Sequence, residues 1–371
     1  VVEPAPAPAP AVVEPVVIPA PVAAPVVVAR TPAEYPLGVT EIIKSDAAFD
    51  EFDLFVVHTN DVHARIVPAD GGMGYSKLAT MVKAGRAITD NILLLDAGDV
   101  THGTNLANMF EGETVGVLLD MIGYDAVAPG NHDFNYGTDR LLEAADLAEK
   151  YTDIKVLSAN VLDSEGYLLF QPYQVYDFNG FKIAVVGLTT PDTATKTHPN
   201  NVKGVYFAND EIFEIGQEAI DMARQYVDYI IGLDPDGESG LTSDQIVSRI
   251  KGIDLFIDGH SHTTLKEGMK VGDTLIVSTG EYLKNLGVVQ IHVKNNKVTA
   301  TYPMLIPAAD VLAPQDSKLA KEWGITEVPD DAEVDEYVGY MNAQLVDKLG
   351  EIIAYVPEKL DGERANVRTK P

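Results

Sequence analysis

Leu54-Phe55-Val56-Val57-His58-Thr59-Asn60-Asp61-Val62-His63 decides the reading of the fold: an apolar run that stops at a carboxylate and an imidazole. Leu54–His58 is rich in β-branched and aromatic residues and too short for a stable helix, so it predicts a buried strand. Beyond it, Asp61 and His63 stand two residues apart, which puts both side chains on one side of an extended segment. The pattern recurs three times. Ile92–Ala97 runs into Gly98-Asp99, Tyr124–Ala128 into Gly130-Asn131-His132-Asp133, and Ile253–Ile257 into Gly259-His260-Ser261-His262. In an α/β protein, ligands bind at the C-terminal ends of strands, so four such ends predict one shared crevice. Carboxylate, imidazole and amide oxygen together suit two divalent transition metals, and hydrolysis is the chemistry such a pair serves.

The intervening segments fit an α/β protein. Tyr75–Ala87 predicts a helix with Leu78, Met81 and Val82 on one face, and Glu113–Ile122 and Thr138–Lys150 predict two more, before a strand at Lys155–Ala159. The middle differs. Leu168–Phe178 and Phe181–Leu188 flank Asn179-Gly180, a hairpin signal. A helix at Asp210–Tyr226 and a strand at Val227–Ile231 follow, and then Thr274–Ser278, Gly287–Val293 and Lys297–Tyr302 predict antiparallel strands. Asp331–Leu349 predicts a long helix and Glu351–Val356 a short strand. A mixed sheet, or two packed sheets flanked by helices, suits this order better than a purely parallel fold.

Residues 1–36 are another material: almost entirely Pro, Ala, Val and Glu, with ten prolines and no helical or strand period. They predict an extended tether or disordered leader remnant that adds nothing to a core. The expected organisation is this leader, a catalytic domain over 37–330, and a linker helix with the start of a further domain over 331–371. Val1 in place of an initiating Met is expected of a chain from which a leader has been removed or trimmed.

Composition narrows the partners. A formal charge of −29 over 371 residues disfavours nucleic-acid polymers and anionic membranes. An anionic substrate would then need bound cations to neutralise the site locally. The absence of cysteine excludes disulfides, thiolate zinc sites and cysteine nucleophiles. No run of about eighteen apolar residues encodes a membrane span.

Singly, each strand-end cluster would serve equally well as a turn; jointly, in this order, they predict a metal site. Asp99 can bridge two ions, with Gly98 letting the backbone come close. Asn131 is a weak ligand through its amide oxygen, and His132 beside it can donate a proton or stabilise phosphoryl charge. His260 and His262 present two imidazoles on one side of a turn. His102, just past Asp99, is a candidate for contact with substrate. His58 and Tyr136 are expected to pack, His292 falls in a strand pattern, and Asp331–Glu336 is expected to be a solvated helix start.

The wording of these clusters resembles the calcineurin-like metallophosphoesterases, in the branch of 5′-nucleotidases, UDP-sugar hydrolases and 2′,3′-cyclic-nucleotide phosphodiesterases. The resemblance rests on Val57–His63 (VHTNDVH), Gly130–Gly137 (GNHDFNYG), Gly187–Pro191 (GLTTP) and Asp258–His262 (DGHSH), and runs from about Phe52 onward. It implies a four-layer sandwich of two mixed β-sheets flanked by helices. It implies that Asp61, His63, Asp99 and His262 hold one metal, with Asp99 bridging, and that Asn131 and His260 hold a second. The ions would be Zn, Mn, Co or Fe. It also implies that His132 assists the transferring phosphoryl group while activated water attacks a nucleotide or other small phosphate ester. Leu360–Arg368 (LDGERANVR) resembles the family's passage into a C-terminal substrate-binding domain, and family members act in the periplasm or outside the cell.

Two departures stand out. Where 5′-nucleotidases place an aspartate behind the catalytic histidine, this chain has Asn135, as the cyclic phosphodiesterases do. The family also carries a histidine ligand just after the strand matching Val227–Ile231, whereas here Ile231 leads into Gly232-Leu233-Asp234-Pro235-Asp236-Gly237. No histidine lies between His198 and His260, and His198 falls in a loop. Three accounts are open: a stretch missing from the chain, a second metal held with one fewer protein ligand, or a catalytically weakened surface binding protein that keeps the fold with an incomplete metal site. A further enzyme reading keeps the fold and turns it on sulfur-group carriers.

Overall fold

The computed structural model describes residues 36–46, 49–209, 211–235 and 241–350. The leader before Pro36, the strand expected at Glu351–Val356 and the tail to Pro371 lie outside them, as do residues 236–240 after the strand that carries Ile231.

Among the described residues the first half alternates strand and helix. It runs β1 (Ile42–Ser45), β2 (Glu51–Thr59), α1 (Tyr75–Arg86), β3 (Ile92–Asp96), α2 (Asn105–Asn108), α3 (Glu113–Ile122), β4 (Ala126–Val127), a 3-10 turn (Asn131–Tyr136), α4 (Thr138–Tyr151) and β5 (Lys155–Val156). The second half continues with β6 (Val161–Asp163), β7 (Tyr173–Phe178), β8 (Phe181–Gly187), α5 (Thr193–Lys196), β9 (Val205–Phe207), α6 (Ile212–Arg224) and β10 (Tyr229–Pro235). It closes with α7 (Ser243–Arg249), β11 (Leu255–Gly259), β12 (Met269–Val271), β13 (Thr274–Val277), β14 (Asn285–Lys294), β15 (Lys297–Pro307), α8 (Ala308–Leu312), α9 (Lys318–Glu322) and α10 (Ala332–Leu349).

Two mixed sheets result. One has the order β15-β14-β2-β3-β4-β5, the other β1-β7-β8-β10-β11-β13-β12. In the first, β2 to β5 are parallel and β14 closes antiparallel on β2. In the second, β8, β10, β11 and β13 are parallel and β7 returns antiparallel on β8 through the Asn179-Gly180 turn. The antiparallel expectation for Thr274–Ser278 is corrected here: β13 pairs parallel with β11, and only the short β12 runs against it. The composition of a buried strand does not encode its direction; the crossover that feeds it does.

Period-two alternation builds the layers. Leu54 and Val56 of β2 and Leu93 and Leu95 of β3 face the second sheet, where they meet Ile183, Val185, Ile231, Leu255 and Ile257. Val57, Ile92 and Leu94 face outward onto Leu78 and Val82 of α1, Leu118 and Ile122 of α3, and Val334, Val338 and Met341 of α10. On the far side, Val186, Ile230, Phe256 and Ile276 receive Ala219, Ile220 and Ala223 of α6 and Ile246 and Val247 of α7. Helix, sheet, sheet, helix is the four-layer α/β sandwich expected. Its strands β2, β3, β4 and β11 all end on the same edge, and that edge carries the polar clusters.

Candidate metal centre

The loops after β2 and β3 run side by side. Asp61 N–H donates to the Gly98 carbonyl (2.9 Å), His63 N–H to that of Asp99 (2.8 Å) and Ala64 N–H to that of Val100 (3.0 Å). The loop after β4 docks on them through Asp133. This buried carboxylate accepts from the N–H groups of Asp99 (2.9 Å), Val100 (3.1 Å), Thr101 (2.8 Å) and Gly130 (2.8 Å), and from Thr101 Oγ1 (2.7 Å). In return Asp99 Oδ1 accepts from His132 N–H at 2.7 Å. Gly130 permits this closeness, because a Cβ there would sit 2.3 Å from Asp99 Oδ1. Sequence spacing does not announce this role for Asp133, because apart from Gly130 its partners lie more than thirty residues away.

The backbone is strained where the clusters converge. Asp61, His63, Asp99, His260 and His262 all have positive φ, between 47 and 59°. Left-handed backbone costs an L-residue about 1–3 kcal/mol, and it recurs where a site dictates side-chain direction.

The structure brings together five of the candidate ligands named from sequence, Asp61, His63, Asp99, His260 and His262, while Asn131 is buried next to His132 in the chain. His63 Nε2 and His262 Nε2 approach to 3.2 Å. Asp61 Oδ1 lies 3.4 Å from His262 Nε2 and 3.9 Å from His63 Nε2. These three residues each offer one ligand atom within 4.8 Å of the others. Beside them, His260 Nδ1 is 3.8 Å from Asp99 Oδ2. The His132 ring packs edge-on against His63 at 5.0 Å between centroids, and His102 stacks parallel on His132 at 5.7 Å. Asn135 Nδ2 donates to His132 Nδ1 at 2.8 Å. His58 is buried under Gly287, and Tyr136 donates to Asn108 Oδ1 while its ring packs 5.3 Å from that of His102. His292 pairs with Asp53 and Glu51 on the outside of β14, and Asp331 caps α10 by accepting from Val334 N–H. His198 is exposed, with Nδ1 accepting from Asn200 N–H.

The donor set fits a divalent cation. Among the described residues, three buried side-chain atoms of the site have no hydrogen-bond partner: Asp61 Oδ1, Asn131 Oδ1 and His260 Nδ1. A buried polar atom left unpaired costs about 1–3 kcal/mol, so each of these calls for a partner. Titration tells the same story. Burial pushes the Asp61 carboxyl up and the His63 imidazole down to about 4. Asp61 pulls His262 up; His260 is raised too, since Asp99 and Asp61 outweigh its burial. Burial would also raise Asp99, but His260, His63 and His132 around it hold it below its ordinary range. The centre is thus short of positive charge, which a bound cation supplies.

Residues 56–264 match the calcineurin-like phosphoesterase family, and the chain belongs to that family. Within it, the chain is similar to a 5′-nucleotidase of Diplobatis ommata, at 33% identity over 278 residues, covering 69% of this chain and 46% of that one. A Vibrio cholerae 5′-nucleotidase is 28% identical over 353 residues, covering 85% of this chain and 63% of its own. Among solved structures, a 5′-nucleotidase precursor from Thermus thermophilus superposes with a TM-score of 0.66 at 27% identity, covering 85% of this chain and 64% of that one. The chain spans about half the length of the first of these relatives. After Ile231, where the family resemblance puts a further histidine ligand, the chain continues β10 to Pro235, and 236–240 lie outside the described residues.

Proposed function

We propose that this chain hydrolyses phosphate esters of nucleotides with two divalent ions. Asp61, His63 and His262 would hold one, Asn131 and His260 the other, and Asp99 both. The observation that carries this is the grouping of Asp61, His63 and His262 ligand atoms within 4.8 Å of one another, with the His132 ring 5.0 Å from that of His63. When bound, the ions supply charge neutralisation for the phosphoryl oxygens and make attacking water acidic enough to react at neutral pH. The chain's own residues do the rest. Asn135 donates to Nδ1 of His132, so the neutral ring keeps its proton on Nε2. From there His132 donates to a phosphoryl or leaving-group oxygen. Asp133 locks the loops that carry Asp99 and Asn131, and His102, stacked on His132, is the candidate contact for substrate.

The longer relatives support two further proposals: that base and sugar are gripped chiefly by a domain beyond residue 371, and that the protein works in the periplasm or at the cell surface. No helix among the described residues is long and apolar enough to cross a membrane. Phosphate release from AMP, opening of 2′,3′-cyclic AMP to the monophosphate and cleavage of UDP-glucose to UMP and glucose 1-phosphate, each followed by product analysis with added Mn²⁺, Co²⁺ or Zn²⁺, test the activity. Turnover that Asp99→Ala abolishes is expected; no turnover on any of them refutes it.

A further inference from the structure

The geometry points to Glu281 as a positioning residue for His262, fixing the ring so that Nε2 presents a bare lone pair toward Asp61 and His63. This rests on the metal-centre reading above and adds a residue to it from outside the strand-end clusters. Glu281 Oε2 lies 2.6 Å from His262 Nδ1, and its other oxygen is held by Lys284 Nζ at 2.6 Å. A carboxylate only accepts, so the 2.6 Å contact requires the imidazole proton on Nδ1. Nε2 of the neutral ring is then an acceptor. It faces Asp61 Oδ1 at 3.4 Å and His63 Nε2 at 3.2 Å. When His63 carries its proton on Nδ1, three lone pairs converge on a point that a cation satisfies. With the proton on Nε2 instead, His262 would simply donate to Asp61 and close the site.

The segment that presents Glu281 is tied to the same loop as the candidate ligands. Asn60 Oδ1 accepts from Thr279 N–H (2.8 Å) and Oγ1 (2.7 Å), while its Nδ2 donates to the Gly280 carbonyl at 2.7 Å and to Asp61 Oδ2 at 2.8 Å. Tyr282 N–H donates to the Asp61 carbonyl at 2.8 Å. Tyr282 and Leu283 take positive φ of 61 and 55°. The Tyr282 ring then meets His63 and His262 edge-on at 5.6 and 5.9 Å, with the Arg65 guanidinium 3.9 Å above it. The segment carrying Glu281 is thus held beside His262 by bonds from Thr279, Gly280 and Tyr282 to Asn60 and Asp61.

The test measures Zn²⁺ affinity of the full chain by competition with a chelating dye, beside ¹⁵N NMR of the metal-free protein at alkaline pH, where His262 is neutral. Glu281→Ala is expected to weaken Zn²⁺ binding about 10–100-fold, the usual cost of removing such an outer partner. Glu281→Gln keeps an acceptor oxygen and is expected to recover most of that loss. The wild-type ring is expected as the Nδ1–H tautomer, becoming a mixture in Glu281→Ala. An Nε2–H ring in the wild type overturns the proposal whatever the variants do, and so does Zn²⁺ binding by Glu281→Ala within about twofold of wild type. His262→Ala separates the two levels. If it binds Zn²⁺ as tightly as wild type, the metal-centre reading itself fails; if it is weak while Glu281→Ala is unchanged, only the role of Glu281 fails.

Discussion

His132 and Asn135 face each other across one 3-10 turn, the Asn135 amide nitrogen 2.8 Å from Nδ1 of the ring. The amide therefore fixes the neutral ring as its Nε2–H tautomer, a hydrogen-bond donor toward the site. An aspartate in the same place would demand the opposite tautomer.

Removing the ring is expected to lower kcat by about 10²–10³-fold, within the range of a positioned general acid. His132→Ala should leave metal stoichiometry as in the wild type, because no candidate ligand is lost. Asn135→Ala keeps the ring but frees its orientation, and a loss of about tenfold in kcat is expected. Steady-state kinetics and metal analysis on the same preparations check both. A His132→Ala variant with wild-type kcat would remove His132 from the chemistry.

Asp133 is the bolt between two site loops. Asn in its place retains one acceptor oxygen and turns an amide toward the N–H groups of Asp99, Val100, Thr101 and Gly130. Losing charge-assisted bonds at a buried group costs about 1.5–3 kcal/mol each, partly offset as the loops relax. Asp133→Asn is expected to destabilise the protein by about 2–4 kcal/mol in urea denaturation. A loss below about 0.5 kcal/mol, the scale of a surface substitution, would show that the loops are held otherwise.

Burial depresses the His58 imidazole to about 3, whereas in the unfolded chain it titrates near 6.5. Unfolding therefore takes up a proton between these values, and stability falls as pH drops through that window. At pH 5 the contribution is about 2 kcal/mol relative to pH 7.5. His58→Gln, which does not titrate, is expected to show a flatter stability profile between pH 7.5 and 5. Equal slopes for variant and wild type would contradict the buried neutral ring. Gly287 must stay small for the same reason: a Cβ there would meet the His58 ring at 2.1 Å, and Gly287→Ala is expected to cost about 1–3 kcal/mol.

Much of this is legible in the chain. Leu54–His58 and Ile92–Ala97 announce strands because both are buried on two faces and read as unbroken apolar runs. The residues that follow them announce a site because carboxylate and imidazole have no place in a core. What stays hidden depends on distance. Tyr124–Ala128 reads as a full strand, yet only Ala126–Val127 pairs as one. The direction of β13 is set by its crossover and not by its residues. Met269–Val271 and Val161–Asp163, at three residues each, are too short to show a period. Glu281 lies in Thr279-Gly280-Glu281-Tyr282, an ordinary turn in sequence; only the fold sets it against His262.

The central claim is that Asp61, His63, Asp99, Asn131, His260 and His262 form a metal centre that hydrolyses phosphate esters. The most direct test strips the full chain with a chelator and titrates Mn²⁺ or Zn²⁺ back while following release of p-nitrophenol from its phosphate ester. The account predicts no activity in the stripped protein, a rise that saturates at about two ions per chain, and no rise in Asp99→Ala. Activity that survives chelation, or that Asp99→Ala retains at the wild-type rate, would contradict it.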